Sequence, residues 1–446
     1  MISNQAKTTL KIAERMLMDL DTPISLSIYI LMQDGSEQAW DQILSYEFCP
    51  TNYTEAAADR ARRDLCAISL LSKVPNFLNR PLKDKAIEVF ERGEHGCRLT
   101  NERIRATWHD PDFELVSNQL IRILGKAPSL QYCFHASDFG PGASATLNRE
   151  QASADVKACF ETSVTLDCAR ALARECTWPI DLAERSFVLL PGNLVSTAPK
   201  NAKTDRTIAI ESGITSRVQK GIGDSIRGKL RKFGVNLNDQ TLNQRAALTA
   251  QKFGRATLDL RNASGSIASL LVFRLLERAT EWFDLLYLAR SHRYTYDSRT
   301  ATLNGTAEWR EYQCWSSMGN GYTFELESAI FLAVCLAAEV PLDQLFIYGD
   351  DIIVPQDKSK RVTELLQKCG FELNPSKSFT DGLFFESCGV YVFNGCDVTP
   401  VKIKDYVHDV PHAIVLANKL RAFSSLDRFF TLDRRYLPTY RMCVDA

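Results

Sequence analysis

The chain has 446 residues, of which 45% are hydrophobic and 24% charged, and its formal net charge is −1. Single hydrophobic cores stop growing at roughly 250 to 300 residues, so two or three subdomains are expected. The near-neutral charge excludes a protein that binds nucleic acid through a global positive excess, and any such surface must come from local basic clusters.

Cysteine usage and apolar runs indicate the compartment. Thirteen cysteines are spread singly, without a CxxC pair or a Cys/His zinc spacing, which is typical of reduced thiols in a cytosolic protein. The longest apolar run, residues 24–32, is too short to span a bilayer. We therefore expect a soluble, unexported protein without a membrane partner. Its subdomains should interleave, because no repeat or Gly/Ser linker separates them.

Residues 1–200 have the pattern of mixed helices and loops, and the next segment is helical. From Ser212, a residue suited to N-capping, apolar residues recur every four positions until a stop near Gly234. These residues are Ile214, Val218, Ile222, Ile226 and Leu230. The segment also carries six Lys and Arg residues, for which a solvated basic face is favoured over a nucleic-acid contact.

The stretch RATLDLRNASGS (255–266) begins as a β-strand, because Ala256, Leu258 and Leu260 fall on one face. Asp259 then lies on the opposite face. One long apolar helix is expected over residues 267–288, and residues 316–339 join a Gly-rich loop to another apolar helix.

The stretch FIYGDDIIVP (346–355) predicts a β-hairpin, because β-branched and aromatic residues flank Gly349, which permits a sharp reversal. Its two aspartates then sit at the hairpin tip. A helix is expected from Ser359 to Cys369, closed by Gly370, and β-ribbons follow at residues 372–374 and 390–393. This order predicts an α+β fold around an antiparallel sheet and not a βαβ repeat.

Three strand-borne carboxylates, Asp259, Asp350 and Asp351, could be brought together by such a sheet. Adjacent like charges repel, so solvent or a cation is needed to keep them ionised, and Mg²⁺ prefers carboxylates together with substrate phosphates. The GDD letters alone are weak, since a solvated Asp turn also has them. The constellation as a whole indicates phosphoryl transfer.

Two polar segments suit a nucleotide. PKNAKTDR (199–206) has three cations at threefold spacing that could grip a triphosphate, although an exposed basic loop is the alternative. These cations are Lys200, Lys203 and Arg206. Gly319 and Gly321 would let the backbone approach a substrate closely, but a helix-start turn explains them nearly as well.

Six segments resemble, in order, the motifs of the RNA-directed RNA polymerase of single-stranded RNA bacteriophages, the catalytic beta subunit of the levivirus-like replicase. They are PKNAKTDRTIAIE (199–211), NLNDQTLNQRAA (236–247), ATLDLRNAS (256–264), SSMGNGYTFELES (316–328), FIYGDDIIVP and FESCGVYVFNGCDVTP (385–400). The resemblance extends from about residue 192 to residue 403. The ordered set gives the GDD hairpin a specificity that it lacks alone.

The resemblance implies a right-hand polymerase: residues 1–205 mainly fingers, residues 206–400 mainly palm with fingers interleaved, and residues 401–446 the start of a short or incomplete thumb. It implies RNA-templated RNA synthesis from NTPs that replicates a single-stranded RNA phage genome, with two Mg²⁺ ions for which Mn²⁺ can substitute. It also implies work in the cytoplasm of the bacterial host, with elongation factors Tu and Ts and a small-subunit ribosomal protein as partners.

The same resemblance assigns roles residue by residue. The metal ligands are Asp259, Asp350 and Asp351, the residues that bind the nucleotide phosphates are Lys200, Lys203 and Arg206, and those that read ribose and template are Ser317, Gly319 and Asn320. Lys377 matches a palm lysine that protonates the departing pyrophosphate, and an ordinary surface lysine is its alternative.

The sequence departs from the family pattern in three places. Gly265 stands where the family has a second aspartate that helps sense the ribose 2′-hydroxyl, Phe385 replaces a common arginine, and the chain stops at Ala446 while relatives continue. Gly265 and the early stop favour a catalytically silent RNA-binding relative as the alternative function, whereas the three retained aspartates argue against it. A reverse transcriptase is the second alternative.

Overall fold

The computed structural model describes residues 4–74, 78, 80–175, 186–297, 301, 305–425 and 431–445. Its α-helices are α1 (Asn4–Leu20), α2 (Pro23–Asp34), α3 (Glu37–Ser45), α4 (Ala58–Ser69), α5 (Leu82–Ala106), α6 (Pro111–Leu124), α7 (Leu130–His135), α8 (Ala154–Phe160), α9 (Leu166–Arg174), α10 (Gly213–Arg231), α11 (Thr241–Leu248), α12 (Ser269–Leu276), α13 (Thr280–Ala289), α14 (Thr323–Ala337), α15 (Gln356–Lys368), α16 (Val410–Ser424) and α17 (Leu437–Val444). Its strands are β1 (Ser163–Thr165), β2 (Val188–Leu190), β3 (Asn193–Pro199), β4 (Asp205–Ile210), β5 (Arg255–Leu258), β6 (Arg293–Thr295), β7 (Arg310–Glu311), β8 (Phe346–Tyr348), β9 (Asp351–Pro355), β10 (Phe384–Ser387), β11 (Val390–Phe393) and β12 (Cys396–Asp397).

A three-stranded antiparallel sheet, β5-β9-β8, lies at the centre and has the predicted hairpin as two of its strands. Beyond β5 the ladder continues as isolated bridges, from Thr257 to Phe379 and from Leu260 to Leu373. Helices α14 and α15 pack against this sheet. The predicted α+β fold around an antiparallel sheet is therefore confirmed.

Helix α10 confirms the four-residue apolar pattern read from the sequence. It begins after Ser212 and ends at Arg231, and Gly234 follows with a positive φ of 83°. All five apolar residues of the pattern are fully buried. Helix α14, which is buried on nearly every side, packs on both α6 and α10. The helical hydrophobic core thus supports the central sheet from one side.

The single long helix expected over residues 267–288 is wrong, because the structure has two shorter helices, α12 and α13, in its place. The break falls at Ala279, whose φ of −118° and ψ of 58° are not helical. Glu277 and Arg278 come just before the break, and Arg278 forms an ion pair of 2.8 Å with Glu114 outside the core. Buried apolar residues lie on both sides of the break, so the sequence shows one continuous apolar segment. The hydrophobic pattern alone therefore could not locate the break.

The basic face of α10 is only partly solvated. The Arg217 guanidinium donates to the Ser137 carbonyl at 2.8 Å and lies over the ring of Phe134. Arg227 forms an ion pair of 2.6 Å with Glu325 on α14. Two of the predicted surface charges therefore hold neighbouring elements together.

Two large hydrophobic clusters organise the chain. The larger one surrounds α10, α14 and the central sheet. The second joins the N-terminal helices α1 to α4 to the C-terminal helices α16 and α17. The division into fingers, palm and thumb stays a prediction. Among the described helices, none is both long and apolar enough to cross a membrane.

Candidate active site

The register of the central sheet brings the aspartates to one end. Leu258 on β5 pairs with Ile352 on β9, so the next residue, Asp259, comes opposite Asp351. Tyr348 pairs with Asp351 across the hairpin, which leaves Asp350 at its tip. Gly349 makes the reversal with a φ of 60°, and a Cβ there would lie 2.3 Å from the ring of Phe324. The predicted convergence of the two motifs at one sheet end is thus supported by the strand pairing.

Hydrogen bonds fix two of the three carboxylates. Asp259 Oδ2 accepts from the Asn374 side-chain amide at 2.8 Å, and the Asp259 backbone N–H donates to Ser378 Oγ at 3.0 Å. Asp351 Oδ1 accepts from the Cys388 backbone N–H at 3.0 Å and from Ser387 Oγ at 3.1 Å. The donors of these hydrogen bonds are neutral, so the bonds orient the carboxylates without cancelling their charge.

The surroundings at this end of the sheet disfavour the charged form of the hairpin carboxylates. Burial, followed by the charges of Asp351 and Asp259, raises the pKa of Asp350 to about 6. The pKa of Asp351 is also raised, first by burial, against the lowering effect of the Cys388 N–H. Oxygen donors that are buried and mutually repelling fit a hard divalent cation such as Mg²⁺ or Mn²⁺.

The oxygen atoms of the three carboxylates are not all within 4.8 Å of one another. Within the described ranges, the one trio whose ligand atoms all lie within 4.8 Å of one another is His408, Asp409 and His412, at the start of α16. The aspartates of the central sheet are therefore gathered at one end but lie somewhat further apart. Electrostatic repulsion between the carboxylates favours this larger separation.

Lys377 lies beside this carboxylate group. Its Nζ is 3.5 Å from Asp259 Oδ1, and its side chain is 49% exposed. Burial lowers the pKa of Lys377, but the charges of Asp259, Glu386 and the two hairpin aspartates outweigh it and leave the pKa raised. The ammonium group is thus kept protonated next to the carboxylates. An ordinary surface lysine does not have such a position.

The predicted phosphate-binding cations separate into two places. Lys200 and Arg206, on the β3-β4 hairpin, line a cavity of about 170 Å³ together with Ser317 and Gly265. Lys203 lines a different cavity. Burial and then the charges of Arg206 and Lys377 lower the pKa of Lys200. Lys200 and Arg206 are therefore close to the carboxylate end, and Lys203 is not part of the same cavity.

The Gly-rich loop packs against the hairpin that carries Arg206. The Ala209 backbone N–H donates to the Met318 carbonyl at 2.6 Å. Gly319 has a φ of 120°, and a Cβ there would lie 2.1 Å from the Ala209 carbonyl oxygen. The glycine is required by protein packing, whereas Asn320 is buried with an amide nitrogen that has no hydrogen-bond partner.

Four polar residues near the site were not found from the sequence. They are Asn262, Glu327, Asn374 and Glu386. Asn262, Glu327 and Glu386 lie inside recognisable motifs, so their types and positions were available as a signal. Asn374 reaches the site through long-range packing, and nothing local distinguishes it from a surface residue.

Comparison with protein families gives the same family as the sequence motifs. The family described as RNA replicase, beta-chain, matches residues 42–440. The RNA-directed RNA polymerase subunit beta of Escherichia virus Qbeta is 31% identical over 444 residues, which cover 95% of this chain and 73% of that protein. The corresponding subunit of Enterobacteria phage SP is 33% identical, over 86% of this chain and 68% of that protein.

A shorter match and two solved structures complete the comparison. The beta chain of the Escherichia phage MS2 RNA-directed RNA polymerase is 40% identical over 241 residues, which cover 53% of this chain and 42% of that protein. A structure described as an RdRp complex has a TM-score of 0.43 at 11% identity, over 77% of this chain and 32% of that one. A human picorbirnavirus RNA-dependent RNA polymerase, with its insertion loop deleted, has a TM-score of 0.34 at 12% identity, over 50% of this chain and 48% of that one.

Proposed function

The chain belongs to the RNA replicase, beta-chain, family of RNA-directed RNA polymerases, and from this premise we propose that the carboxylate end of its central sheet is the nucleotidyl-transfer site. The observation that carries the proposal is the strand register that sets Asp259 opposite Asp351, with Asp350 on the adjoining turn. The family favours RNA-templated RNA replication over the alternatives, a silent RNA-binding relative or a reverse transcriptase.

Asp259, Asp350 and Asp351 would hold two divalent cations, Mg²⁺ or Mn²⁺. When bound, such ions supply charge neutralisation at the attacking and leaving oxygens of the phosphoryl group. The chain's own residues position those oxygens. Asn374 and Cys388 fix the orientation of the Asp259 and Asp351 carboxylates through hydrogen bonds of 2.8 and 3.0 Å. Preorganised ligands of this kind need no rearrangement during the reaction.

The basic side chains near the site are proposed to bind the triphosphate of the NTP. In the proposed reaction the 3′-hydroxyl loses its proton to water, its oxygen attacks the α-phosphorus of the NTP, and the bond from that phosphorus to the pyrophosphate oxygen breaks. Lys200 and Arg206 bind the phosphates from the cavity that they line. Lys377, held protonated beside Asp259, donates a proton to the leaving pyrophosphate. Ser317 lines the same cavity, and Asn320 lies in the same Gly-rich loop, so we assign these two residues to the sugar.

A template-directed incorporation assay tests the proposal. Asp350→Asn should lower kcat by at least roughly a hundredfold, since charge stabilisation by metals is worth several kcal/mol and each 1.4 kcal/mol is tenfold. Asp343→Asn is the matched control, because Asp343 is exposed just before the hairpin. Incorporation of dNTPs in place of NTPs would move the function to a reverse transcriptase. RNA binding without incorporation by the wild type would instead support the silent relative.

The relatives are named as subunits, which supports an assembly with further proteins. We propose that the partners are the RNA template and host proteins, namely elongation factors Tu and Ts and a small-subunit ribosomal protein, in the cytoplasm of the bacterial host. Purified host factors, added singly to the incorporation assay, would test this assembly. A rate that is unchanged by every factor would contradict it.

A further inference from the structure

Two histidines lie about one helical turn apart where α16 begins. His408 comes just before Asp409, the N-cap residue of the helix, whose Oδ1 accepts from the His412 backbone N–H at 2.9 Å. The ring centroids of the two histidines are 4.2 Å apart, at an interplanar angle of 38°. His408, Asp409 and His412 each offer one ligand atom within 4.8 Å of the other two. The helix cap thus gathers two imidazoles and one carboxylate.

The segment that carries this trio is held by buried contacts. Val407 is buried, and its backbone N–H donates to Thr9 Oγ1 on α1 at 2.9 Å. Ala413 is also buried, and both Val407 and Ala413 belong to the second hydrophobic cluster. The side chains of the trio lie between these two anchors and are exposed or half-buried. The trio is therefore held in place by the fold and is open to ions from solvent.

The ring nitrogens of both histidines are directed at oxygen atoms. His408 Nδ1 donates to the Tyr406 carbonyl at 2.9 Å, so Nε2 has no proton in the neutral ring, and it lies 3.6 Å from Asp409 Oδ2. His412 Nδ1 is 2.5 Å from Asp409 Oδ1, and its Nε2 is 3.7 Å from Asp405 Oδ2. Because a neutral ring has a single N–H, each neutral ring directs one lone pair at a carboxylate. Each such contact needs a cation, either a proton or a metal ion.

A metal ion satisfies these contacts better than two additional protons do. Two protonated rings with centroids 4.2 Å apart would repel each other, whereas one metal ion binds two neutral rings at once. A backbone carbonyl that accepts the other ring N–H, as Tyr406 does for His408, is a common orienting partner of metal-bound histidines. The hydrogen bonds that His412 donates, first from its backbone N–H and then from its ring, lower the pKa of Asp409. The carboxylate is thus ionised and able to bind a metal.

The types of ligand select the class of metal. Two imidazoles and one carboxylate suit Zn²⁺ and similar transition-metal ions, whereas Mg²⁺ and Ca²⁺ prefer oxygen ligands alone. We propose that His408, Asp409 and His412 bind one Zn²⁺ at the start of α16, with water in the fourth tetrahedral position. This site shares no residue with the proposed nucleotidyl-transfer site and does not depend on it. An ion there would tie the segment before α16 to the first turn of that helix.

Isothermal titration of the full chain with Zn²⁺, in excess Mg²⁺, tests the proposal. His408→Gln and His412→Gln each remove one proposed ligand. We expect each to weaken one class of Zn²⁺ binding by at least about tenfold, the effect of losing only an orienting partner of a ligand. Asp409→Asn should weaken the same class, although asparagine still caps the helix. Metal-free melting curves verify that each variant is folded.

His109→Gln is the matched control. His109 is exposed and also precedes an N-cap aspartate, Asp110 of α6, but Phe113 stands where a second histidine would be needed. This variant should bind Zn²⁺ as wild type does. Equal Zn²⁺ binding by wild type and both histidine variants of α16 would overturn the site.

Two more measurements separate this site from other places where Zn²⁺ could bind. Co²⁺ in place of Zn²⁺ should give the weak absorption of nitrogen and oxygen ligands, and an intense thiolate-to-cobalt band would overturn the proposal by placing the ion on a cysteine. Asp350→Asn should keep the Zn²⁺ class. If Asp350→Asn loses this class while the histidine variants keep it, the ion binds at the central sheet and the histidine site is overturned. If the histidine variants alone lose it and Asp350→Asn remains active in RNA synthesis, the histidine site stands and the proposed function fails.

Discussion

Gly265 is the position where a single substitution should change sugar selection. It lines the cavity that also contains Lys200, Arg206 and Ser317, and the resemblance to phage replicases expects a ribose-sensing carboxylate there. A site built to hydrogen-bond a hydroxyl rejects the analogue that lacks it. We therefore predict that Gly265→Asp raises the preference for rNTPs over dNTPs. One polar contact is worth about 1 to 3 kcal/mol, which is about 5-fold to 150-fold in the ratio.

The structure defines the cost of that change. A Cβ at Gly265 would lie 2.6 Å from Nδ2 and 2.7 Å from Oδ1 of Asn262. Asn262 is exposed, so its amide can swing away at little expense. We infer that Asn262 covers the space that a carboxylate at position 265 would take. Its rearrangement makes room for the carboxylate and is not itself expected to change the ratio.

Competing incorporation of rNTPs and dNTPs by wild type, Gly265→Asp and Gly265→Ala measures the effect. Gly265→Ala adds the same Cβ, and hence the same displacement of Asn262, without the carboxylate. We expect the alanine variant to keep the wild-type ratio and the aspartate variant to raise it. Equal ratios in all three proteins would refute the idea that position 265 reads the sugar. Equal changes in both variants would refute the role of the carboxylate and assign the effect to Asn262.

Two further predictions concern charge near the site. Arg206→Ala should raise the KM for NTPs by about tenfold or more, from loss of a charged contact, and should leave template affinity nearly unchanged; equal losses in steady-state kinetics and in an RNA-binding assay would indicate a general RNA-binding patch. Burial raises the pKa of Glu327 to about 8, well above its ordinary value of 4.5, so the stability that it contributes is complete below about pH 4.5 and is lost as the pH rises through 8. Glu327→Gln still accepts the bond of 2.6 Å from Ser264 and should melt at a higher temperature than wild type at pH 8.5 but not at pH 5; parallel melting curves at both pH values would contradict this.

Local sequence patterns predicted the parts of the site that local physics determines. The GDD hairpin follows from β-branched flanks around Gly349, and helix α10 follows from a four-residue apolar period that stays regular to its end. Strand parity also placed Asp259 away from the leucines. The structure shows, however, that Thr257 on that second face is buried as well, because β10 covers it. A β-strand pattern cannot reveal whether its polar face is covered by a distant segment.

Contacts between distant segments account for what the sequence did not reveal. The division of the cations illustrates this, since Lys200 and Lys203 are three residues apart and yet line different cavities. The turn between β3 and β4 separates them, and spacing alone does not define a turn of that shape. Glu386 likewise comes near this end of the sheet only because β10 packs on β5, a contact between residues more than a hundred positions apart. Motif order predicted the function, but packing decides which side chains share a site.

A site of repelling carboxylates should make the metal-free protein less stable than it could be. Burial and two neighbouring aspartates disfavour the charge of Asp350, and each pKa unit of such an effect is worth about 1.4 kcal/mol. We therefore predict that Asp350→Asn, although inactive, unfolds at higher denaturant than wild type in EDTA at pH 8, by about 1 to 3 kcal/mol. Saturating Mg²⁺ should remove or reverse this difference, because an ion at a hundred times its Kd stabilises wild type by about 2.7 kcal/mol. Identical denaturation curves in EDTA would show that the fold relieves the repulsion without a cation, and the electrostatic argument for the metal site would then fail.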